Sequence, residues 1–213
     1  MTEFSKEKYA TIVSEIRDRI LSAEIFSNEK NRVFIESTSL QIRKILELIA
    51  YLSVLVNSEK LNHKQRHEYH ASKIIDSLLE RTTIFYPLPS HMIHPSKENE
   101  QPVLIPFGFE NALTQEQFRD AYQLCGKVVH AQHPLKPDLD IRGVFQKNKE
   151  ILAKIKSLIK SHTIGIRKSK NKYTFLHVEI DFTNYETTKT SFIREYNAQI
   201  YSEKQLIEIF NAG

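Results

Sequence analysis

At 213 residues, with 40% hydrophobic and 26% charged side chains, the chain is long enough to bury a sizeable core and too ordinary in composition for a collagen-like, low-complexity or disordered protein. Its single cysteine, Cys125, rules out an internal disulfide and fits a reducing compartment, and the mixed-charge stretch MTEFSKEKYA lacks the apolar run of a secretory signal, so the expected location is the cytoplasm. A net charge of +4 and an isoelectric point near 9.0 permit contact with phosphates without establishing it.

Ser5 to about Glu29 reads as an amphipathic helix, with Tyr9, Ile12, Val13, Ile16, Ile20 and Leu21 at helical spacing. The stretch Glu36 to Asn57, ESTSLQIRKILELIAYLSVLVN, is different, because its apolar residues from Leu40 to Val56 fall on nearly every side of a helix. Such a helix must be surrounded by other elements, and the rest of the chain is expected to wrap it. Its continuous apolar part, Ile45 to Val56, is shorter than the roughly 20 residues of a membrane span and contains Glu47. Against this background Glu36, Arg43 and Glu47 lie along one line, which Tyr51 continues. Either Arg43 and Glu47 form an ordinary pair on the one solvated side, or the line faces a polar pocket of the kind helical bundles build between helices.

A third helix is expected from beyond Asn57 to about Thr83, with His63, His67 and His70 in its first turns and an apolar stripe of Ala71, Ile74, Ile75 and Leu78. Pro87, Pro89, Pro95, Pro102 and Pro106 then mark Tyr86 to Gly108 as a long surface loop. Thr114 with Gln117 forms a capping box for the next helix, which runs to about His130, and Val144 to Ser161 is a long basic amphipathic helix. Around His162 the period switches to alternation. In Tyr173 to Phe182 the side chains Thr174, Leu176, Val178 and Ile180 face one way and His177, Glu179 and Asp181 the other. Ile164 to Arg167 and Ser191 to Tyr201 supply two partner strands, and Ser202 with Gln205 caps a short final helix. The expected fold is therefore mainly α, a multi-helix bundle around a buried central helix (1–161), with a small C-terminal antiparallel β meander plus terminal helix (162–213).

Three groups of residues could carry chemistry. His130, able to gain or lose a proton near neutral pH, could act as acid or base if Arg43 and Glu47 positioned it, with Glu36, Tyr51 and His133 as binding neighbours. Its plainer role is to complement the helix C-terminus. His63, His67 and His70, at i, i+4 and i+7, could offer three nitrogens to one metal ion, although no H-E-x-x-H pattern accompanies them. His177, Glu179 and Asp181 could form the acidic half of a metal-dependent nuclease site, or simply the wet face of a sheet. No cofactor is called for, since phosphate-binding glycine loops, nucleophile elbows and cysteine-rich zinc patterns are missing from the sequence.

The central stretch and the segment Cys125 to Pro134, CGKVVHAQHP, together resemble an uncharacterised bacterial helical family that pairs an ES-x-x-LQ-x-R helix with a CG-x-x-x-HA-x-x-P segment, and more loosely the HEPN superfamily of helical bundles. HEPN ribonucleases carry an arginine followed four to six residues later by a histidine, assembled at a dimer interface to cut RNA. Here His130 and His133 match only the histidine; the nearest preceding arginine is Arg119, and three residues separate Arg66 from His70. The resemblance implies a helical module of a bacterial defence or toxin-related system, contacting RNA or a protein partner, and allows a homodimer. The competing expectations are a non-catalytic immunity or antitoxin-type binding protein and a metal-dependent hydrolase built on the histidine cluster.

Overall fold

Two capped helices set the core. The Ser5 side chain accepts a hydrogen bond from Lys8 N at 3.2 Å and opens α1, Lys6–Phe26. The Asn31 side chain accepts from Val33 N at 2.9 Å, so α2 begins at Arg32, four residues ahead of Glu36, and runs to Asn57. Ile42, Ile45, Leu46, Ile49 and Leu52 of α2 are fully excluded from solvent. The expectation of a surrounded helix is met: α2 packs against α1 and three later helices, and touches the sheet as well. The computed structural model describes residues 4–82, 84–94, 102–131, 133–135, 137–169, 172–183, 191–198 and 208.

The expected third helix is broken in two. After a 3-10 turn at Ser58–Lys60, a capping box of Asn62 and Gln65 starts the single turn α3, His63–Arg66. Glu68 Oε1 then accepts from the backbone N–H groups of both Tyr69 and His70 at 2.9 Å, a local turn that competes with the helix, and α4 begins only at Ala71, ending at Leu79. The capping box of Thr114 and Gln117 forms as read, opening α5, Gln115–Val128, and Asp140 caps α6, Ile141–Lys160.

The mainly helical bundle with a small C-terminal meander is corrected by the sheet, which has five strands among the described residues. The segment expected to be a proline-rich loop contributes β1, Leu88–Ile93, and β2, Val103–Pro106, which pair with each other antiparallel. Straight after α6 come β3, Ser161–Ser169, then β4, Lys172–Ile180, and β5, Ser191–Ala198. The order is β2-β1-β3-β4-β5, and every neighbouring pair is antiparallel. The prolines are tolerated because of where they fall. Pro106 ends an edge strand, and Pro89 sits where β1 has only a short pairing with β3, Leu88 opposite Thr163 and Pro89 opposite His162. The terminal helix expected after Ser202 lies outside the described residues, Glu208 apart.

One face of the sheet packs on the helices. Leu176, Val178 and Ile180 of β4 and Ile164 of β3 are buried in the same cluster as Ile16, Ile49 and Ile155, so the strands that follow residue 161 and the helices that precede it share one core. Two polar links run through it. His162, fully buried, donates from Nδ1 to Ile159 O at 2.9 Å and accepts at Nε2 from Tyr9 OH at 3.0 Å. Asn148 of α6 donates to Ile35 O at 3.1 Å and to Ser39 Oγ at 2.9 Å, tying α6 to α2.

Candidate functional site

The polar line of α2 meets α5. Arg43 Nη2 donates to Tyr122 OH at 2.9 Å, its guanidinium carbon lies 4.3 Å from the Tyr122 ring centroid, and its Nε is 3.4 Å from Glu47 Oε1. Tyr122 OH in turn donates to Glu47 Oε1 at 3.4 Å, and Lys44 Nζ donates to Oε2 at 2.9 Å. The arginine reaches α5 so closely because position 126 is glycine: a Cβ there would lie 2.7 Å from Arg43 Nη1. Tyr51 continues the line, its phenol pushed above the usual range first by burial and then by the Glu47 carboxylate. Arg43, Glu47 and Tyr122 thus occupy one another, and the arrangement works as a clamp between two helices.

The other residues of that expected site are placed elsewhere. Glu36 pairs with Arg32 at 2.9 Å on the exposed side of α2. His130 is exposed in the bend after α5, and among the described residues no hydrogen bond or ion pair joins it to Arg43 or Glu47. His133 accepts from Leu135 N at 3.1 Å within its own turn. Cys125 lies buried under the clamp, and burial pushes its thiol up to about 12.

The break between α3 and α4 separates the three histidines. The His63 and His67 rings pack against each other with centroids 4.6 Å apart, whereas His70 sits edge-on to Tyr122 at 5.0 Å and shares a hydrogen bond with Ser72. Among the described residues no group of three or more His, Cys, Asp or Glu is disposed to hold a metal ion.

Titratable groups converge instead on the sheet. A concave pocket of about 280 Å³ is lined by His91, Met92 and His94, by His177 and Glu179 of β4, and by Phe192, Arg194 and Tyr196 of β5. Two concavities of similar size elsewhere, about 310 and 290 Å³, contain neither histidine nor arginine. Register builds this pocket: His177 lies opposite Arg194, Glu179 opposite Phe192 and Phe175 opposite Tyr196, so alternate residues of β5 stand beside alternate residues of β4 on one face. From the β1 side, Arg194 Nη1 and Tyr196 OH both lie 3.2 Å from His94 Nε2. A guanidinium can only donate, so Nε2 accepts and the ring proton of His94 is on Nδ1.

His177 holds the floor of the pocket. Ser90 Oγ donates to Thr163 Oγ1 at 2.8 Å, which leaves the Thr163 hydroxyl proton for His177 Nδ1, also at 2.8 Å. The His177 proton then sits on Nε2, aimed at Glu179 Oε1, 3.4 Å away. Burial lowers the pKa of His177, partly countered by Glu179, so a neutral ring is favoured. Glu179 remains half-exposed, with His91 Nδ1 3.9 Å from the same Oε1. Of the three residues expected on this strand face, Asp181 is not part of the pocket; its carboxylate accepts from Thr183 N and Oγ1 at 2.7 and 2.6 Å beyond the strand end.

The sequence reading missed His91, His94, Arg194 and Tyr196. The signal was available in part, since Phe192, Arg194 and Tyr196 alternate along SFIREY, and Leu88, Ser90 and Met92 alternate with exposed His91 and Ile93. Comparison of the chain with protein-family models, curated proteins and solved structures gave no match. No helix among the described residues is long and apolar enough to cross a membrane.

Proposed function

We propose that the protein binds single-stranded RNA across the open face of its sheet, with the His91/His94/His177/Arg194 pocket holding a backbone phosphate. The observation that carries this reading is the pairing of cationic and aromatic groups at one place. Arg194 offers a planar array of donors that suits a phosphate, and the imidazoles add further donors. Phe192 in the pocket and Phe107, stacked on the pocket residue His91, are 57% and 60% exposed, an unusual exposure for phenylalanine and the kind of platform on which unpaired bases stack. Phe107 already carries one stacked ring, that of His91, with centroids 6.3 Å apart and planes 12° from parallel. A volume of about 280 Å³ sits at the low end of small-ligand pockets, roughly 300 Å³ and upward, and suits one phosphate with its ribose. The overall charge of +4 favours such a partner, and a single cysteine, unable to form an internal disulfide, suits a cytoplasmic one. This reading keeps RNA as the partner and moves it from the α2–α5 clamp to the sheet.

The test is fluorescence anisotropy with a labelled single-stranded RNA oligonucleotide at two salt concentrations. Phe192→Ala and Arg194→Gln are each expected to weaken binding by roughly tenfold or more, and Arg194→Gln also to flatten the salt dependence, while Lys154→Ala on the far side of α6 leaves both unchanged. Equal affinity for all four proteins would refute the reading.

A further inference from the structure

Resting on that reading, we infer that the sheet pocket cleaves the RNA it holds, by transfer of a phosphodiester to its own ribose 2′-hydroxyl. The two pocket imidazoles at the β1 edge stand in opposite electrostatic settings. His94 accepts at Nε2 from Arg194 and Tyr196, so that nitrogen is unprotonated and faces the pocket wall, and it becomes the base when an incoming ribose and phosphate displace those two donors. His91 has its Nδ1 3.9 Å from the Glu179 carboxylate, the partner that an imidazolium requires, and is the acid. Glu179 is itself fixed by the Nε2–H of buried His177, whose other nitrogen is held through Thr163 by Ser90. His177 and Glu179 are therefore positioning residues, and Arg194, released from His94 when a phosphate enters, donates to its non-bridging oxygens.

The step balances without a co-reactant. His94 Nε2 takes the proton of the 2′-hydroxyl, and the 2′-oxygen forms a bond to the adjacent phosphorus. The bond from phosphorus to the 5′-oxygen breaks, its electron pair leaving on that oxygen, which takes the proton of His91. The products are a 2′,3′-cyclic phosphate on one fragment and a free 5′-hydroxyl on the other. Because every transferred proton belongs to a protein side chain or the substrate, cleavage is expected to proceed in the presence of a chelator.

The experiment incubates the full chain with an end-labelled single-stranded RNA oligonucleotide and EDTA, and in parallel with the same oligonucleotide carrying 2′-deoxyribose throughout. Binding of both is measured by anisotropy, and the fragment ends are identified by mass. Cleavage of the RNA to cyclic-phosphate ends, with the deoxy strand left intact, is expected. His91→Gln and His94→Gln, both at exposed positions whose replacement leaves the core untouched, are expected to weaken RNA binding less than Arg194→Gln does and, with each variant saturated with RNA, to cut roughly 100-fold more slowly or worse. RNA that is bound and left whole overturns the cleavage step while leaving the binding reading standing. RNA that is not bound overturns both. Cleavage unchanged in the two variants, or cleavage of the deoxy strand, also overturns the inference, since neither imidazole nor the 2′-hydroxyl would then take part.

Discussion

Acidification tests the interior of the fold at one residue. His162 is fully excluded from solvent between Tyr9 and the Ile159 carbonyl, and burial lowers its pKa from the usual 6.5 to about 4, against a smaller upward pull from that carbonyl. The unfolded chain takes up this proton near 6.5 and the folded chain only near 4, so between those values the unfolded state binds more protons. The stability tied to His162 is fully present above pH 6.5 and is lost as the pH falls towards 4. For one such group, linkage gives a loss of about 2 kcal/mol between pH 7 and pH 4.5. In a chain of this length that corresponds to a fall in Tm of about 4–8 °C. Burial also lowers the pKa of His177, which adds a loss of the same sign. The contribution of His162 is isolated by urea unfolding of the parent and of His162→Gln at both pH values. Glutamine takes up no proton in this range, so the variant, weaker at pH 7, should lose about 2 kcal/mol less on acidification. Parallel losses in the two proteins would show that His162 is either accessible to protons in the fold or charged there already.

The clamp between α2 and α5 should behave as a stabilising contact: Arg43→Gln is expected to cost about 1–2 kcal/mol, because Lys44 still pairs with Glu47, whereas Leu52→Ala at a fully buried position should cost roughly 2–5 kcal/mol, both read by chemical denaturation. Gly126→Ala should be near neutral alone and should stabilise the Arg43→Gln background by up to about 1 kcal/mol, since the new methyl then meets no guanidinium; a double-mutant cycle showing strict additivity would contradict this coupling. Cys125, buried and with its thiol pushed up to about 12, should resist iodoacetamide in the native protein and react at the rate of a free thiol in urea. Asn148→Leu, which strips Ser39 of its buried partner, should lower stability by about 1–3 kcal/mol, measured against an exposed-site control such as Lys149→Ala.

What could be read from the sequence was local. The all-round apolar pattern of α2, the capping box at Thr114 and Gln117, and the alternation of Leu176, Val178 and Ile180 each sit within one element, and each appears in the structure as read. The errors arose where a short-range signal met a longer-range constraint. Five prolines argued for a loop through Tyr86–Gly108, yet the pairing of Leu88 with Thr163 and of Ile93 with Val103 organises β1 and β2, with Pro89 and Pro106 at tolerated positions. The histidines of the expected third helix shared a face only for as long as the helix continued, and the two N–H groups bound by Glu68 ended it. The pocket was the least legible feature, because His94 meets partners 100 and 102 residues away, a juxtaposition that depends on strand order and register.

The origin of that pocket lies in the point at which α6 becomes β3. The helix ends at Lys160 and Ser161 is already extended, so β3 begins opposite Glu179 and has nothing to place beside the outer half of β1. Two strands separated by a third lie roughly 9–10 Å apart in a continuous sheet. Past Ser90 there is no third strand, and His91 of β1 comes within 3.9 Å of Glu179 of β4 through the gap. Ser161 closes the gap from below by donating to Ser90 O at 2.6 Å, and Ser90 in turn begins the chain of hydroxyls that orients His177. The same helix end therefore sets both the opening in the sheet and the polar floor beneath it. The helical core, which holds none of the pocket residues, acts on the site through α6, by fixing where the intervening strand can start.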